Sequence, residues 1–599
     1  MKPHSAPSRE SLLRLMATPV RRKYMENLRR MLGGPGLISI REEQFFLVLA
    51  IAIGILAGFC VVLFRLAIAA ARLWLLGSSA HPGWPRVVLV PAVTGLAIGV
   101  VAVRFFPRVR GSGVNQTKGA LYIYDGYISR DTVIAKFVLS ALAIGSGQSL
   151  GPEDPSLQIG AGLASALGRW LKLSRERLRM MAPVGAAAGV AAAFNAPITA
   201  VLFVIEEVIG RWSAGILGAV VLSAISSVVV ERWFLGDEPL FRVPQYHLDH
   251  PGELIAYAVL GVLGGVASLV FVKLIKTVRP RLRRMPQWSQ YLQPGIAGLL
   301  IGFIAIWFPQ VMGAGYDWMD LAMHNRFTWE VLGILAGLKL LSTALSFAAG
   351  TPGGLFAPVL FIGAMLGGSV AMVEQQLFPW LSVPVGAYAL VGMGALFAGI
   401  LRAPMTSVFM ILEVSGNYSI ILPVIVCNTI SYLISRGFQE VPLFDLLSRQ
   451  DGLDLPSLEE EPELTALRVE DAIRPLAVRA LIGDEPLASA RAVATASPQE
   501  ACFLVSLGQG RWSVLTREAL LDGGQDNASA VSSLVRTRVP RLYQDQSLDV
   551  ALRFIKDRPM LPVVHRDNLD LLIGVVGAED ILRAYRRVGL AEPEMAEIG

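Results

Sequence analysis

From Gln44 to Leu76 the chain carries only two charged residues, Arg65 and Arg72. A helix needs about 20 mostly apolar residues to cross a bilayer, and this run exceeds that length. Further apolar runs occupy residues 86–106, 254–275 and 294–308. In lipid every backbone N–H and C=O must be bonded within the protein, so runs of this kind fold as membrane-crossing helices. Composition agrees: 53% of residues are hydrophobic and 17% charged, against about 25% charged in soluble domains.

The net charge of +6 would suit a nucleic-acid partner in a soluble protein, but its placement argues otherwise. Residues 1–40 hold Lys2, Arg9, Arg14, Arg21, Arg22, Lys23, Arg29 and Arg30 against Glu10 and Glu26. The excess of lysine and arginine before the first span predicts a cytoplasmic tail. That tail lacks the apolar core of a cleaved signal peptide, so the first span serves as its own insertion signal. The three cysteines, Cys60, Cys427 and Cys502, are far apart, and neither they nor the six histidines form a disulfide or metal-ligand spacing.

Apolar segments end near residue 449. Residues 450–465, with Asp451, Asp454, Glu459, Glu460, Glu461 and Glu463, read as an acidic linker. Residues 466–590 alternate short β-rich and amphipathic helical runs, which predicts a soluble α/β domain, and 591–599 form a tail. With both ends cytoplasmic, an even number of crossings is expected.

The membrane part, residues 41–449, is duplicated. Setting Val184 to Glu207 on Val391 to Val414 matches 9 of 24 positions, and Gly151 to Ala164 on Gly354 to Gly367 matches 7 of 14. Duplicated membrane units of this kind build transporters in which broken helices meet near the bilayer midplane. The breaks are Gly/Pro clusters at residues 111–113, 145–155, 195–197, 352–358 and 402–404. Each is expected to open a helix whose first amides lack partners and carry partial positive charge, so several such ends could hold an anion without a fixed cation. The competing reading, glycines that merely permit close helix packing, does not account for the clusters recurring in both halves.

The segments Gly111-Ser112-Gly113, Gly147-Gln148-Ser149-Leu150-Gly151-Pro152-Glu153-Asp154-Pro155, Phe194-Asn195-Ala196-Pro197 and Gly353-Gly354-Leu355-Phe356-Ala357-Pro358 resemble, in order and spacing, the signatures of the CLC chloride channel and transporter family. The resemblance implies an all-α, inverted-repeat membrane fold with broken helices, acting as a homodimer with one anion pathway per subunit. It implies that Ser112 and Gly113, Gly151 with Glu153, and the amides of Leu355 and Phe356 surround the anion. Glu153 resembles the gating glutamate, which takes an anion site when ionised and leaves it when protonated. Glu207 resembles the internal proton-transfer glutamate of the exchangers, so Glu153 and Glu207 together favour chloride/proton antiport; the alternative is a passive, gated chloride channel. Serine at position 112 goes with chloride preference.

Three departures bear on this. Val114-Asn115-Gln116 stand where the family usually has Ile-Pro-Glu, Pro152 and Asp154 flank Glu153 where it usually has Lys or Arg and Gly, and Phe444 stands where many members have an anion-contacting tyrosine. Without that hydroxyl, a charged hydrogen bond of roughly 1.5–3 kcal/mol is missing and anion binding should be weaker. Residues 466–590 resemble a tandem pair of CBS domains. In nucleotide-binding pairs a Thr or Ser contacts phosphate and an Asp three residues on contacts ribose; here Thr516 precedes Ala519, and Gly577 precedes Asp580. An adenine nucleotide or a purely structural role are both open there. No phosphate loop ending in Gly-Lys-Ser/Thr occurs, so an enzyme or ATP-driven pump is not expected and no cofactor is implied.

Overall fold

Helix after helix in the first half has a counterpart eight places on in the second. The first series is α1 (Glu42–Leu76), α2 (Trp84–Arg104), α3 (Gly113–Tyr122), α4 (Arg130–Gly145), α5 (Glu153–Trp170), α6 (Arg175–Phe194), α7 (Pro197–Phe203) and α8 (Ala214–Leu235). The second is α9 (Glu253–Arg284), α10 (Gln287–Ala305), α11 (Tyr316–Met323), α12 (Trp329–Ala348), α13 (Phe356–Leu377), α14 (Val385–Leu401), α15 (Pro404–Ser415) and α16 (Ile421–Phe438), with α17 (Leu443–Gln450) following. The computed structural model describes residues 42–77, 83–210, 214–237, 240–241, 252–378, 384–453, 455, 467–522, 526–546, 548–555, 558–566 and 568–591. The basic tail at 1–40, residues 456–465 of the acidic linker and 592–599 of the C-terminal tail lie outside them. The chain divides into two units, residues 1–459 and 460–599.

Every Gly/Pro cluster singled out in the sequence opens a helix: α3 at Gly113, α5 at Glu153, α7 at Pro197, α13 at Phe356 and α15 at Pro404. The mechanism is the same in both halves. Asn195 and Arg402 close α6 and α14 in the left-handed region, at φ 54° and 57°. Two residues later a proline starts the next helix, where its missing N–H would have been unbonded anyway.

Among the described residues, seven helical stretches are long and apolar enough to cross a membrane: α1, α2, α8, α9, α12, α13 and the run Tyr418–Gln450. Their outward stripes are apolar, as with Ile255, Val259, Val262, Val266 and Val270 on α9, which fits lipid as the solvent. Their inward faces meet through glycine. A Cβ at Gly160 would lie 2.2 Å from the Gly185 oxygen, and one at Gly363 would lie 2.3 Å from the Gly392 oxygen. These are equivalent pairs, α5 on α6 and α13 on α14, and in both the absent side chain lets backbones touch.

Reciprocal bonds join the halves. Gly151 N donates to Gly354 O and Gly354 N to Gly151 O, both at 2.8 Å. The Glu206 carboxylate accepts from Met405 N (3.2 Å), Thr406 N (2.9 Å) and Thr406 Oγ1 (2.6 Å) at the start of α15. Its repeat partner Glu413 does the same for Ile198 N (2.9 Å), Thr199 N (2.7 Å) and Thr199 Oγ1 (2.6 Å) at the start of α7. Each carboxylate thus satisfies amides that the other half's broken helix leaves open.

The C-terminal unit is α/β. Strands β1 (Leu481–Ile482), β2 (Cys502–Ser506) and β3 (Trp512–Thr516) form one sheet, in which β1 runs parallel and β3 antiparallel to β2. Strands β4 (Leu561–Val564) and β5 (Leu572–Val576) form an antiparallel pair, and helices α18 (Leu487–Ala496), α19 (Arg517–Leu521), α20 (Leu548–Ile555) and α21 (Ala578–Ala591) accompany them. Residues 539–543 make two isolated bridges rather than a strand, Val539 to Trp512 and Leu542 to Val563. Pro540 has no N–H to continue a ladder, so the segment touches each sheet once.

Gly363→Ala should therefore lower thermal stability in detergent by about 1–3 kcal/mol, the usual cost of overpacking. Gly337→Ala on α12, where a Cβ meets nothing within 4 Å, should be neutral or slightly stabilising; equal losses in both would refute the contact argument.

Candidate functional site

The Gly151–Gly354 bridge sets the starts of α5 and α13 side by side, and the first residue of α5 is Glu153. Its side chain is fully buried. Oε2 accepts from the Ala357 amide at 3.3 Å, and Oε1 accepts from the Tyr316 hydroxyl. Ala357 lies just inside α13, one residue beyond the Leu355 and Phe356 amides singled out in the sequence. Tyr316 opens α11, the second-half counterpart of α3, after Gly315 at φ 90°. One carboxylate from the first half is thereby held by two broken helices of the second.

Asp154, the next residue, reaches toward α3 instead. Oδ1 accepts from Ser112 Oγ at 2.9 Å and Val114 N at 3.1 Å, and Oδ2 accepts from Gly113 N at 2.8 Å. Ser112 also caps α3 directly, accepting from Val114 N at 3.2 Å. Gly113 is required for this approach, since a Cβ there would lie 2.4 Å from the Asp154 carbonyl oxygen.

Phe356 lies among aromatic rings, with Phe203 at 5.1 Å, Phe397 at 5.7 Å, Phe194 at 6.1 Å and Phe444 at 6.2 Å between centroids. Phe444 therefore borders the same region as a hydrophobic wall, and its carbonyl accepts from Asn115 Nδ2 at 2.8 Å. Asn115, which replaces the proline of the usual first motif, ties α3 to α17 by that bond.

Three lysines are buried near these helix starts. Lys136 donates to Gly111 O at 2.8 Å and Val109 O at 3.3 Å, and Lys339 donates to Gly313 O at 2.6 Å and Val311 O at 3.0 Å. These are repeat equivalents, each gripping the turn before a broken helix, and among the described residues neither makes an ion pair. Lys118, on α3, pairs with Glu207 at 2.9 Å and Asp445 at 3.1 Å. Glu206 and Glu207 sit in a π-helical segment, Val204–Ile209, that continues α7. Its extra residue per turn breaks the α-helical register, and consecutive glutamates here serve different partners, Glu206 the start of α15 and Glu207 the amine of Lys118. A cavity of about 320 Å³ beside Gly111, Asn115 and Gln116 is lined by Arg108, Arg110 and Arg283 against one acid, Asp451.

Ser112, Gly113, Gly151, Glu153, Leu355, Phe356 and Phe444 all belong to this helix-start region, whereas Glu207 lies apart from Glu153 in its own ion-pair group. Tyr316, Asp445 and the three lysines were not singled out from sequence. Lys136 and Lys339 carried a usable signal, since each is a cation inside an apolar run and the two coincide when the repeats are overlaid. In the C-terminal unit, Thr516 caps α19 by accepting from Ala519 N at 3.3 Å, and Asp580 accepts from Gly577 N at 2.9 Å and Arg474 Nε at 2.8 Å.

The family model described as voltage gated chloride channel matches residues 94–436. A putative chloride channel protein, ClcB-like, of Ralstonia nicotianae is 32% identical over 68% of this chain and 99% of its own length. An H(+)/Cl(-) exchange transporter, ClcA, of Vibrio campbellii is 30% identical over 67% of this chain and 88% of its own. The crystal structure of a slow cyanobacterial Cl-/H+ antiporter superposes with a TM-score of 0.63 at 25% identity, covering 69% of this chain and 98% of that one. The duplicated broken helices, the paired helix starts and these likenesses lead to one conclusion: the chain is a multi-pass membrane protein that belongs to the voltage gated chloride channel family.

Proposed function

We propose that this protein exchanges chloride for protons across a cell membrane, as a homodimer with a pathway in each subunit and both termini in the cytoplasm. The observation that carries this reading is the Glu153 carboxylate resting on the Ala357 amide at 3.3 Å, buried, with the Tyr316 hydroxyl on its other oxygen. A helix start stabilises a carboxylate and a chloride by the same amide donors and dipole, so the two compete for one place. Protonation removes the carboxylate's charge and yields the place to an anion, which links one proton taken up to one site opened. The exchangers among its relatives support the same reading.

Glu207 is the proposed second proton carrier. The arginine-lined cavity would gather anions before they enter, because a one-signed cleft concentrates the opposite charge. A passive channel is the second reading, favoured by two observations: Lys118 holds Glu207 in an ion pair, and Phe444 offers no hydroxyl. The tandem CBS reading of the C-terminal unit belongs to the proposal as well. An adenine nucleotide there would have to displace Arg474 from Asp580, and calorimetric titration with ATP, with Asp580→Ala as the control, tests for it.

In liposomes with chloride and pH recorded together, Glu153→Ala should abolish proton movement while chloride flux continues; intact coupling would refute the gate. An exchanger's reversal potential shifts with an imposed pH gradient, and a channel's does not. Glu207→Val leaves Lys118 balanced by Asp445 alone, so the variant should fold and lose proton transport. Lys118→Met leaves two buried carboxylates without a counter-charge and should cost about 3–5 kcal/mol of stability, measured by thermal unfolding in detergent.

A further inference from the structure

Two acidic residues stand next to each other at the start of α5 and serve opposite sides. Glu153 occupies donors of the second half, while Asp154 occupies donors of the first: the Ser112 hydroxyl and the amides of Gly113 and Val114, at 2.8–3.1 Å. Ser112 and Gly113 are the groups assigned above to the anion. Asp154 is 3% exposed, with no salt bridge among the described residues, and the buried Lys136 amine interacts with it electrostatically. A buried carboxylate of this kind keeps its charge through such charge-assisted hydrogen bonds and a nearby amine.

Its capping role is partly redundant. Helix α3 already has its own cap in Ser112 Oγ, so the Asp154 carboxylate duplicates a bond to Val114 N and adds one to Gly113 N. The repeat sharpens the contrast. At the shift that overlays the two signatures, Glu153 and Asp154 fall on Phe356 and Ala357, neither of which carries an acid. The second half folds an equivalent helix start without this side chain, so the architecture does not demand it.

We propose that Asp154 is a second tethered anion: a carboxylate that fills the Ser112–Gly113–Val114 donors and must leave before a transported anion can bind there. The chain would then hold two internal stand-ins for chloride, on adjacent residues, where one glutamate is the usual gate. This rests on the anion-transport reading above and adds a residue that sets how tightly the pathway holds its ion. Its substrate class is a small monovalent anion able to take one hydroxyl and two amide donors.

The test uses the full-length protein in detergent, with bromide located by anomalous diffraction and chloride binding followed by calorimetry. Wild type and Glu153→Ala should show no bromide at the Ser112 and Gly113 donors, whereas Asp154→Ala should show it there. Chloride should bind roughly ten- to hundredfold more tightly to Asp154→Ala, the gain from removing a charge-assisted competitor. Asp154→Asn keeps the size and one accepting oxygen, so it preserves the helix cap and should still bind chloride more tightly than wild type. Bromide on those donors in wild type with Asp154 in place, or unchanged chloride affinity in a folded Asp154→Asn, would overturn the proposal. Glu153→Ala reports separately on the transport reading: if bromide is absent from the Ala357 amide there, that reading fails whatever Asp154 does.

Discussion

A helix that begins inside a membrane leaves amides that neither water nor its own carbonyls can satisfy, and this structure is organised around answering them. Several open helix starts are met by something negative or by another backbone. Gly151 and Gly354 bond each other, Glu206 and Glu413 cap each other's neighbouring helices, Glu153 takes the start of α13, and Asp154 takes that of α3. In a low-dielectric interior these bonds are worth more than in water, and leaving them unmade costs more. The same donors are therefore a structural liability and a binding site for a small anion.

Symmetry and its breaking divide the work. The glycine contacts Gly160–Gly185 and Gly363–Gly392, the lysine clamps Lys136 and Lys339, and the reciprocal glutamates repeat in both halves and build the frame. The candidate site uses what does not repeat. Glu153 and Asp154 have Phe356 and Ala357 as partners, Ser112 has Gly315, and Lys118 has Leu321. A duplicated scaffold supplies opposed helix starts, and unpaired substitutions at their first residues decide what occupies them.

Buried lysines inside the membrane part are held in two ways. Lys118 bonds two acids, Glu207 and Asp445, whereas the hydrogen bonds of Lys136 and Lys339 go to backbone carbonyls. The first arrangement neutralises a cation locally, and the second ties the turns that precede α3 and α11 to helices α4 and α12.

Much of this was legible in sequence because it is local or periodic. The apolar runs, the break points at Gly113, Glu153, Pro197, Phe356 and Pro404, and the duplication follow from spacing and from the backbone chemistry of glycine and proline, which act where they stand. Glu153 could be named because a carboxylate next to a helix break has few other uses at that depth. The directions of side chains were not legible. That Asp154 turns to Ser112 while Glu153 turns to Ala357, that Tyr316 reaches Glu153 across 163 residues, and that Lys118 meets Asp445 across 327 depend on how the halves dock. Sequence by itself settled the membrane, the helices, the repeat and the donors on offer, since each is set by a residue and its near neighbours. Tertiary structure alone decided which acid meets which donor, because that pairing exists only once distant helix starts share a single buried space.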